Sequence, residues 1–556
     1  MTIERRVAAL LFLAFTACMQ SSKPSSAAHE VIFAGGTVLA GPSQTPQANW
    51  SVVTANGTIV AAGPADTIRS AHPDAEVIDV HGTTVMPGLT DAHGHLYGLG
   101  LSLDTVNVVG AATFDEVVAK VRERAQRAAP GEWILGRGWD QNRWPDKQFP
   151  TAAPLNAAIS DHPVWIRRVD GHAGVANSAA MRAAGVTAAT QDPEGGRILR
   201  DSKGNPTGVF IDGAQHLIDS KVPAPSAALR KSRVLAAAQK IAENGLTEMH
   251  DAGAEQSTIT AIQQLIDEHK FPIRVYVMLT DDEALLNSWF ARKPLIGYGG
   301  HLTVRSVKMY ADGALGSRGA AMLAPYSDDP SNTGLLVSKE EHMLAVARQA
   351  RAAGYQANTH AIGDRGVRNV IDAYEQAGAT PAERFRIEHF QVVALSDFPR
   401  LAQHGIIASM QPTHATSDMP WAEARVGPDR IKGAYAWRTV LNSGARLALG
   451  SDFPVEDVNP FFGLYSAVTR QDQKGNPPGG WYPDQKLTLA EAIRGFTSDA
   501  AYAAFEESSR GTIEPGKLAD LTIVEGDLYN APQSQLFSTK VRYTVVNGEI
   551  VYRGTH

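Results

Sequence analysis

Short apolar runs rich in Val, Ile and Thr occupy 31–36, 51–54, 58–62 and 76–86, divided by Gly35-Gly36, Asn56-Gly57 and His81-Gly82. Asn-Gly between apolar runs is a strong hairpin signal. The same pattern returns at the far end, over 520–524, 541–546 and 549–552, with Asn547-Gly548 between the last two. Neither end has enough strands to stand alone. Together they predict one split β-sandwich domain, 29–86 with 511–556, interrupted by a large insertion. Within it, short apolar strands end in polar or Gly residues and lead into helical stretches. The predicted strands lie at 84–91, 246–250, 273–279, 304–310, 355–360, 385–389, 406–411 and 447–451, with helices such as 226–244, 339–353 and 367–377. Eight strands alternating with helices predict an α/β architecture, a (β/α)8 TIM barrel over 87–510. Residues 100–225 are too long for one strand–helix unit and carry Trp139, Trp144 and Trp165. They are predicted to form an insertion capping the barrel mouth.

The first 28 residues follow a different pattern. Arg5-Arg6 precede an apolar run, 7–17, too short to span a membrane, and 21–28 is small and polar. This is the layout of a secretory signal. Phe15-Thr16-Ala17-Cys18 resembles a bacterial lipobox, although Leu is usual where Phe15 stands. The expectation is export in a bacterium to the periplasm or envelope, with a lipid anchor on Cys18; cleavage after 26–28 is the soluble alternative. Cys18 is the only cysteine, so no internal disulfide and no cysteine-built zinc site can form. A net charge of −7 without a basic block argues against nucleic acid as a partner.

The predicted strand ends carry the chemistry. The first ends in Asp91-Ala92-His93-Gly94-His95, where alternate residues share a face. The fifth ends in His360, the sixth in Glu388-His389 and the eighth in Ser451-Asp452, while Lys308 sits inside the apolar fourth strand. A barrel brings these ends to one mouth. Four histidines and an aspartate beside a buried lysine then need a shared reason, and a metal centre supplies it.

In order and spacing, these residues resemble the amidohydrolase superfamily, and within it the YtcJ-like (amidohydrolase 3) group that includes N-substituted formamide deformylases. The resemblance spans nearly the whole mature chain. It rests on 87–95, Val307-Lys308, Ala311-Asp312-Gly313-Ala314-Leu315-Gly316-Ser317-Arg318, 360–364, Glu388-His389, 450–452 and 515–521. In the insertion, Gly136-Arg137-Gly138-Trp139-Asp140-Gln141, Asp170-Gly171-His172 and Asn177-Ser178 match as well. The resemblance implies that His93, His95 and Asp452 hold one divalent metal and His360 and His389 a second. It implies carboxylation of Lys308 to bridge them, although some relatives run on one metal. Zinc is the first choice for imidazole ligands; manganese, iron and nickel stay open. The implied substrate is a small-molecule amide (N-formyl, N-acyl or cyclic). In the implied mechanism Asp452 takes the proton of the attacking water and returns it to the leaving amine. His414 is expected to hold the oxyanion or the substrate, with support of the site from behind the ligands as the alternative. Trp139, Asp170, His172, Tyr310 and Arg318 are expected around the substrate, with Arg318 suited to a carboxylate; core packing of the insertion is the alternative for Trp139. His250, ending the second strand, is expected to support the metal shell.

Two other readings remain at this stage. The same scaffold could cut an ester or lactone, or deaminate, although the His-x-x-Glu expected of a deaminase reads His360-Ala361-Ile362-Gly363 here. A non-catalytic envelope lipoprotein would lack a ligand, and none of the expected ones is missing. A homo-oligomer is left open, and the only membrane contact foreseen is the lipid anchor.

Overall fold

The computed structural model describes residues 29–41 and 45–555. Cys18 and the signal pattern lie outside the described residues.

Eight parallel strands form the central sheet, in chain order Leu89–Gly94, Leu246–Ala254, Arg274–Thr280, Leu302–Tyr310, Gln356–Ala361, Arg386–His389, Ile407–Met410 and Leu447–Leu449. Each pairs with the next, and the sheet curls until its two ends meet. Asp91 stitches the seam: its carboxylate accepts the His93 N–H at 3.0 Å and the Ser451 hydroxyl at 2.6 Å. Asp452 N–H donates across the same seam to the His93 carbonyl at 2.7 Å. Helices such as Ala227–Glu243, Glu340–Ala353 and Asp364–Gln376 cover the outside. The last buries Val367, Val370, Ile371 and Tyr374, spaced three and four apart so that one stripe meets the sheet.

The run expected as one strand over 84–91 is two. Thr83–Pro87 belongs to a second sheet and Leu89–Gly94 to the barrel, with Gly88 between them. A Cβ on Gly88 would lie 2.2 Å from Thr247 Oγ1, so the chain changes sheets there on a residue without a side chain.

The second sheet draws eight strands from both chain ends and closes over Phe33, Val52, Ile59, Val85, Leu521, Ile523 and Val545. It is tied to the barrel by Arg274, whose Nε and Nη2 donate to Asp520 at 2.7 and 3.0 Å. Thr522 adds a bond to the Gly245 carbonyl at 2.7 Å.

Residues 106–212 carry a third sheet of six strands, mixed parallel and antiparallel, with its own core around Trp139, Trp144, Val117, Leu155 and Ile166. Its loops overhang the C-terminal ends of the barrel strands. No helix among the described residues is long and apolar enough to cross a membrane.

Candidate metal centre and its cavity

Five of the barrel strand ends and their loops bring imidazoles and one carboxylate together. Asp452 Oδ1 lies 3.1 Å from His95 Nε2 and 3.6 Å from His93 Nε2, and Oδ2 lies 3.6 Å from His414 Nε2. The ring of His389 is 4.7 Å from that of His93 and 4.6 Å from that of His360. Lys308 Nζ reaches within 3.3 Å of His93 Nε2. Two triplets have ligand spacing, His93–His95–Asp452 and His389–His414–Asp452. His360 is in neither; its Nε2 faces the Gly313 carbonyl at 3.5 Å.

The backbone is bent to make this arrangement. His389 (φ 72°) and Asp452 (φ 62°) both sit in the left-handed region, which side-chain-bearing residues rarely occupy. Such conformations persist where the surroundings impose them, and they gather at functional sites.

Partners behind the cluster aim the rings. His93 Nδ1 meets Glu388 Oε2 at 2.5 Å, so Nε2 points to the centre. Glu388 is in turn held by Arg386, whose Nη2 donates at 3.1 Å while Nε lies 2.8 Å from Oε1 without hydrogen-bond alignment. Arg386 also bonds His250 Nδ1 at 2.9 Å, which places His250 behind the cluster, away from its centre. His389 Nδ1 is fixed by Gln411 Oε1 at 2.8 Å. Asp312 accepts the Ile362, Gly363 and Ala321 N–H groups at 2.8–2.9 Å and anchors the loop after His360.

Protonation states follow from burial and neighbouring charge. Burial, then the Lys308 charge, pushes His93 down to about 4, and burial holds His360 and His389 well below the ordinary imidazole range. The rings are therefore neutral at physiological pH, the form that ligates metal. Burial pushes Lys308 down to about 8. Burial opposes ionisation of Asp452, but the surrounding histidines outweigh it and hold the carboxyl below its usual range. Glu388 is held low in the same way by Arg386 and His93 against its burial.

The cluster opens on a cavity of about 670 Å³. His95, Asp170, His172, Lys308, Tyr310, His360, His389 and Asp452 line it; His93 and His414 are buried at its edge. Tyr310 lies over His360, ring centres 5.4 Å apart. His172 comes from the capping segment, with Nδ1 2.7 Å from Asp212 Oδ1 and its ring 5.1 Å from that of His360. Asp170 accepts the His172 N–H at 3.0 Å and pairs with Arg168.

Two expected substrate residues lie elsewhere. Trp139 is fully buried in the core of the cap, its Nε1–H satisfied by the Ile166 carbonyl at 2.7 Å. A large ring with a satisfied donor gains more there than as a wetted wall. Arg318 is paired with Asp328 at 3.1 Å and does not line the cavity. Conversely, Glu388, Arg386, Asp212 and Arg137 shape the site without having been singled out. Glu388 stood in the sequence beside His389 at a predicted strand end, in the polar run Arg386-Ile387-Glu388-His389, which was signal enough to mark it.

Asp452 Oδ1 and His414 Nε2 are buried without an aligned hydrogen bond. Imidazoles and an ionised carboxylate, with orphaned ligand atoms turned toward one another, suit a divalent cation.

Residues 76–552 match the family model described as "Amidohydrolase family". The chain is 33% identical over 509 residues to the putative amidohydrolase YtcJ of Bacillus subtilis, covering 90% of this chain and 96% of that protein. It is 28% identical over 528 residues to the N-substituted formamide deformylase of Arthrobacter pascens, covering 91% and 95%. Among solved structures, an uncharacterized metal-dependent hydrolase from Pyrococcus horikoshii superimposes with a TM-score of 0.74 at 27% identity, covering 91% of this chain and 99% of that one.

Proposed function

The chain belongs to the amidohydrolase family and is a hydrolase of the metal-dependent kind, and from that premise we propose that the bond it cuts is the C–N bond of an amide. The observation that carries this reading is Asp452: a buried, ionised carboxylate in reach of His93, His95 and His414. The Arthrobacter relative, an N-substituted formamide deformylase, supports it.

His93, His95 and Asp452 would hold one ion. His389 and His360 would offer a second position, and zinc is the metal the imidazole set suits best. A divalent cation there supplies Lewis acidity and lowers the pKa of water. The protein's own groups do the rest. Asp452 accepts the proton of the attacking water and delivers it to the nitrogen as the C–N bond breaks. His414 Nε2, buried and unpartnered, donates to the carbonyl oxygen as its negative charge grows. Asp170 and Arg168 hold the loop that brings His172 over the cavity. Lys308 is proposed to carry a carboxylate: its ammonium first gives up one proton, and the neutral amine then forms an N–C bond to carbon dioxide and releases a second, so that an anion replaces a cation beside the cluster. Export and anchoring through Cys18 complete the reading; Cys18→Ser is expected to release the protein from the membrane fraction.

The test is a hydrolysis screen of N-formyl, N-acyl, cyclic-amide and lactone substrates, with metal analysis on the same sample. Amide cleavage lost on chelation and regained with metal supports the proposal. Cleavage of lactones alone overturns it.

A further inference from the structure

Four arginines line the cavity: Arg137, Arg167, Arg168 and Arg230. Three have carboxylate partners. Arg168 pairs with Asp140 at 2.5 Å and with Asp170, Arg167 with Asp219 at 2.6 Å, and Arg230 with Glu255 at 3.5 Å. Arg137 has none among the described residues. Its one hydrogen bond runs from Nη2 to the Val169 carbonyl at 2.6 Å, which leaves the rest of the guanidinium fork unused. Burial pushes its pKa down to about 10, with the charges of Asp452 and Asp170 acting in its favour from a distance. Arginine stays protonated at neutral pH, so this is a cation kept partly out of water without a counter-ion. Leaving it so is costly unless something else supplies the anion.

The backbone holds Arg137 firmly. It lies in the strand Ile134–Trp139, paired on both sides, with its carbonyl accepting the Val108 N–H at 2.9 Å. Gly138 adopts φ 110°, and a Cβ there would stand 2.6 Å from the Val109 nitrogen. The next residue, Trp139, is locked in the cap core. A charged fork on a rigid strand is preorganised for a ligand rather than for surface solvation. Leu101, Leu135, Trp165 and Val222 line the same cavity and give it an apolar side.

We infer that Arg137 anchors a carboxylate carried by the substrate, so that the preferred substrate is an amide bearing both a carboxylate and an apolar group. The planar, bidentate geometry of guanidinium with carboxylate favours this anion. The inference rests on the proposed amide cleavage for the identity of the bond, but not for the anion site.

Two measurements on the full, metal-loaded chain test it. Calorimetry compares hydrocinnamate with hydrocinnamyl alcohol, which has the same skeleton without the charge. The wild type is expected to prefer the acid, and Arg137→Met to weaken acid binding about 10- to 100-fold, the range of a charge-assisted hydrogen bond. Arg137→Lys should restore part of it. Kinetics compare N-acetylphenylalanine with N-acetylphenethylamine; the ratio of their kcat/KM values should favour the acid and fall by a similar factor in Arg137→Met. Equal affinity for hydrocinnamate in wild type and variant would put the carboxylate on the metal or elsewhere and overturn the assignment. So would a wild type without preference for the acid, a result that needs no variant to fold. If no amide is cleaved but hydrocinnamate still binds through Arg137, the amide reading fails and the anion site stands.

Discussion

Replacing Glu388 by Gln keeps the shape of the side chain and removes its charge. Glu388 and His93 are both fully buried, with Oε2 2.5 Å from His93 Nδ1. In the wild type the carboxylate fixes the proton on Nδ1 and makes Nε2 a stronger donor. An amide oxygen can accept the same N–H but lends no charge to the ring. Loss of such a support costs about 10- to 100-fold in metal affinity or activity, or about 1.4–2.8 kcal/mol. The variant has a second effect, because Arg386 loses the one carboxylate against its guanidinium among the described residues while its bonds to the Ala92 carbonyl (2.6 Å) and Ser409 hydroxyl (2.9 Å) remain. An orphaned buried charge costs about 3–5 kcal/mol, and the bonds that remain place this one at the lower end. Competition against a chelating dye reads the first effect and scanning calorimetry the second. Wild-type metal affinity in a folded Glu388→Gln protein would refute the assignment of His93 Nε2 to the metal.

Other perturbations test other joints of the structure. Asp520→Asn breaks the ion pair between the end sheet and the barrel and should cost about 3–5 kcal/mol, read as a lowered Tm. Burial raises the Asp520 pKa, but Arg274 outweighs it and the net shift is downward. Its stabilisation is therefore present above the unfolded value of about 3.9 and lost as pH falls through the folded value. An acid titration of stability should be shallower in Asp520→Asn than in wild type. Gly138→Ala should destabilise the cap by about 1–3 kcal/mol, from positive φ and the clash with Val109; limited proteolysis would show cleavage within 106–212 first. Lys308→Ala should lower bound metal, measured by atomic emission, and added acetate or propionate should restore part of the activity; a variant with full metal and full rate would exclude a bridging role.

The barrel and its polar strand ends were legible because parallel strands read as apolar runs, and their ends collect at one mouth wherever the helices run. Side-chain pairing was less so. His93 and Glu388 are 295 positions apart, and nothing local in either segment says that one ring meets that carboxylate. The six-stranded cap sheet mixes parallel and antiparallel neighbours, so its pairing follows tertiary packing rather than alternation along the chain. Trp139 illustrates the cost of reading chemistry from residue type. An aromatic in a polar, Gly-rich segment suggested a substrate wall, yet its partners make it the hub of the cap core, and the neighbouring Arg137 is the one that faces the cavity. Arg318, in turn, sits near candidate ligands in sequence but has its own carboxylate in Asp328. Proximity along the chain does not say which charges are already satisfied.

The most direct test of the account is the rate of amine release from an amide substrate by wild type and Asp452→Asn, compared at equal bound metal. Loss of a positioned proton acceptor and donor should lower kcat by about 10²- to 10⁴-fold while the fold is retained. Turnover near the wild-type rate in the metal-loaded variant would contradict the role given to Asp452, and with it the proposed mechanism.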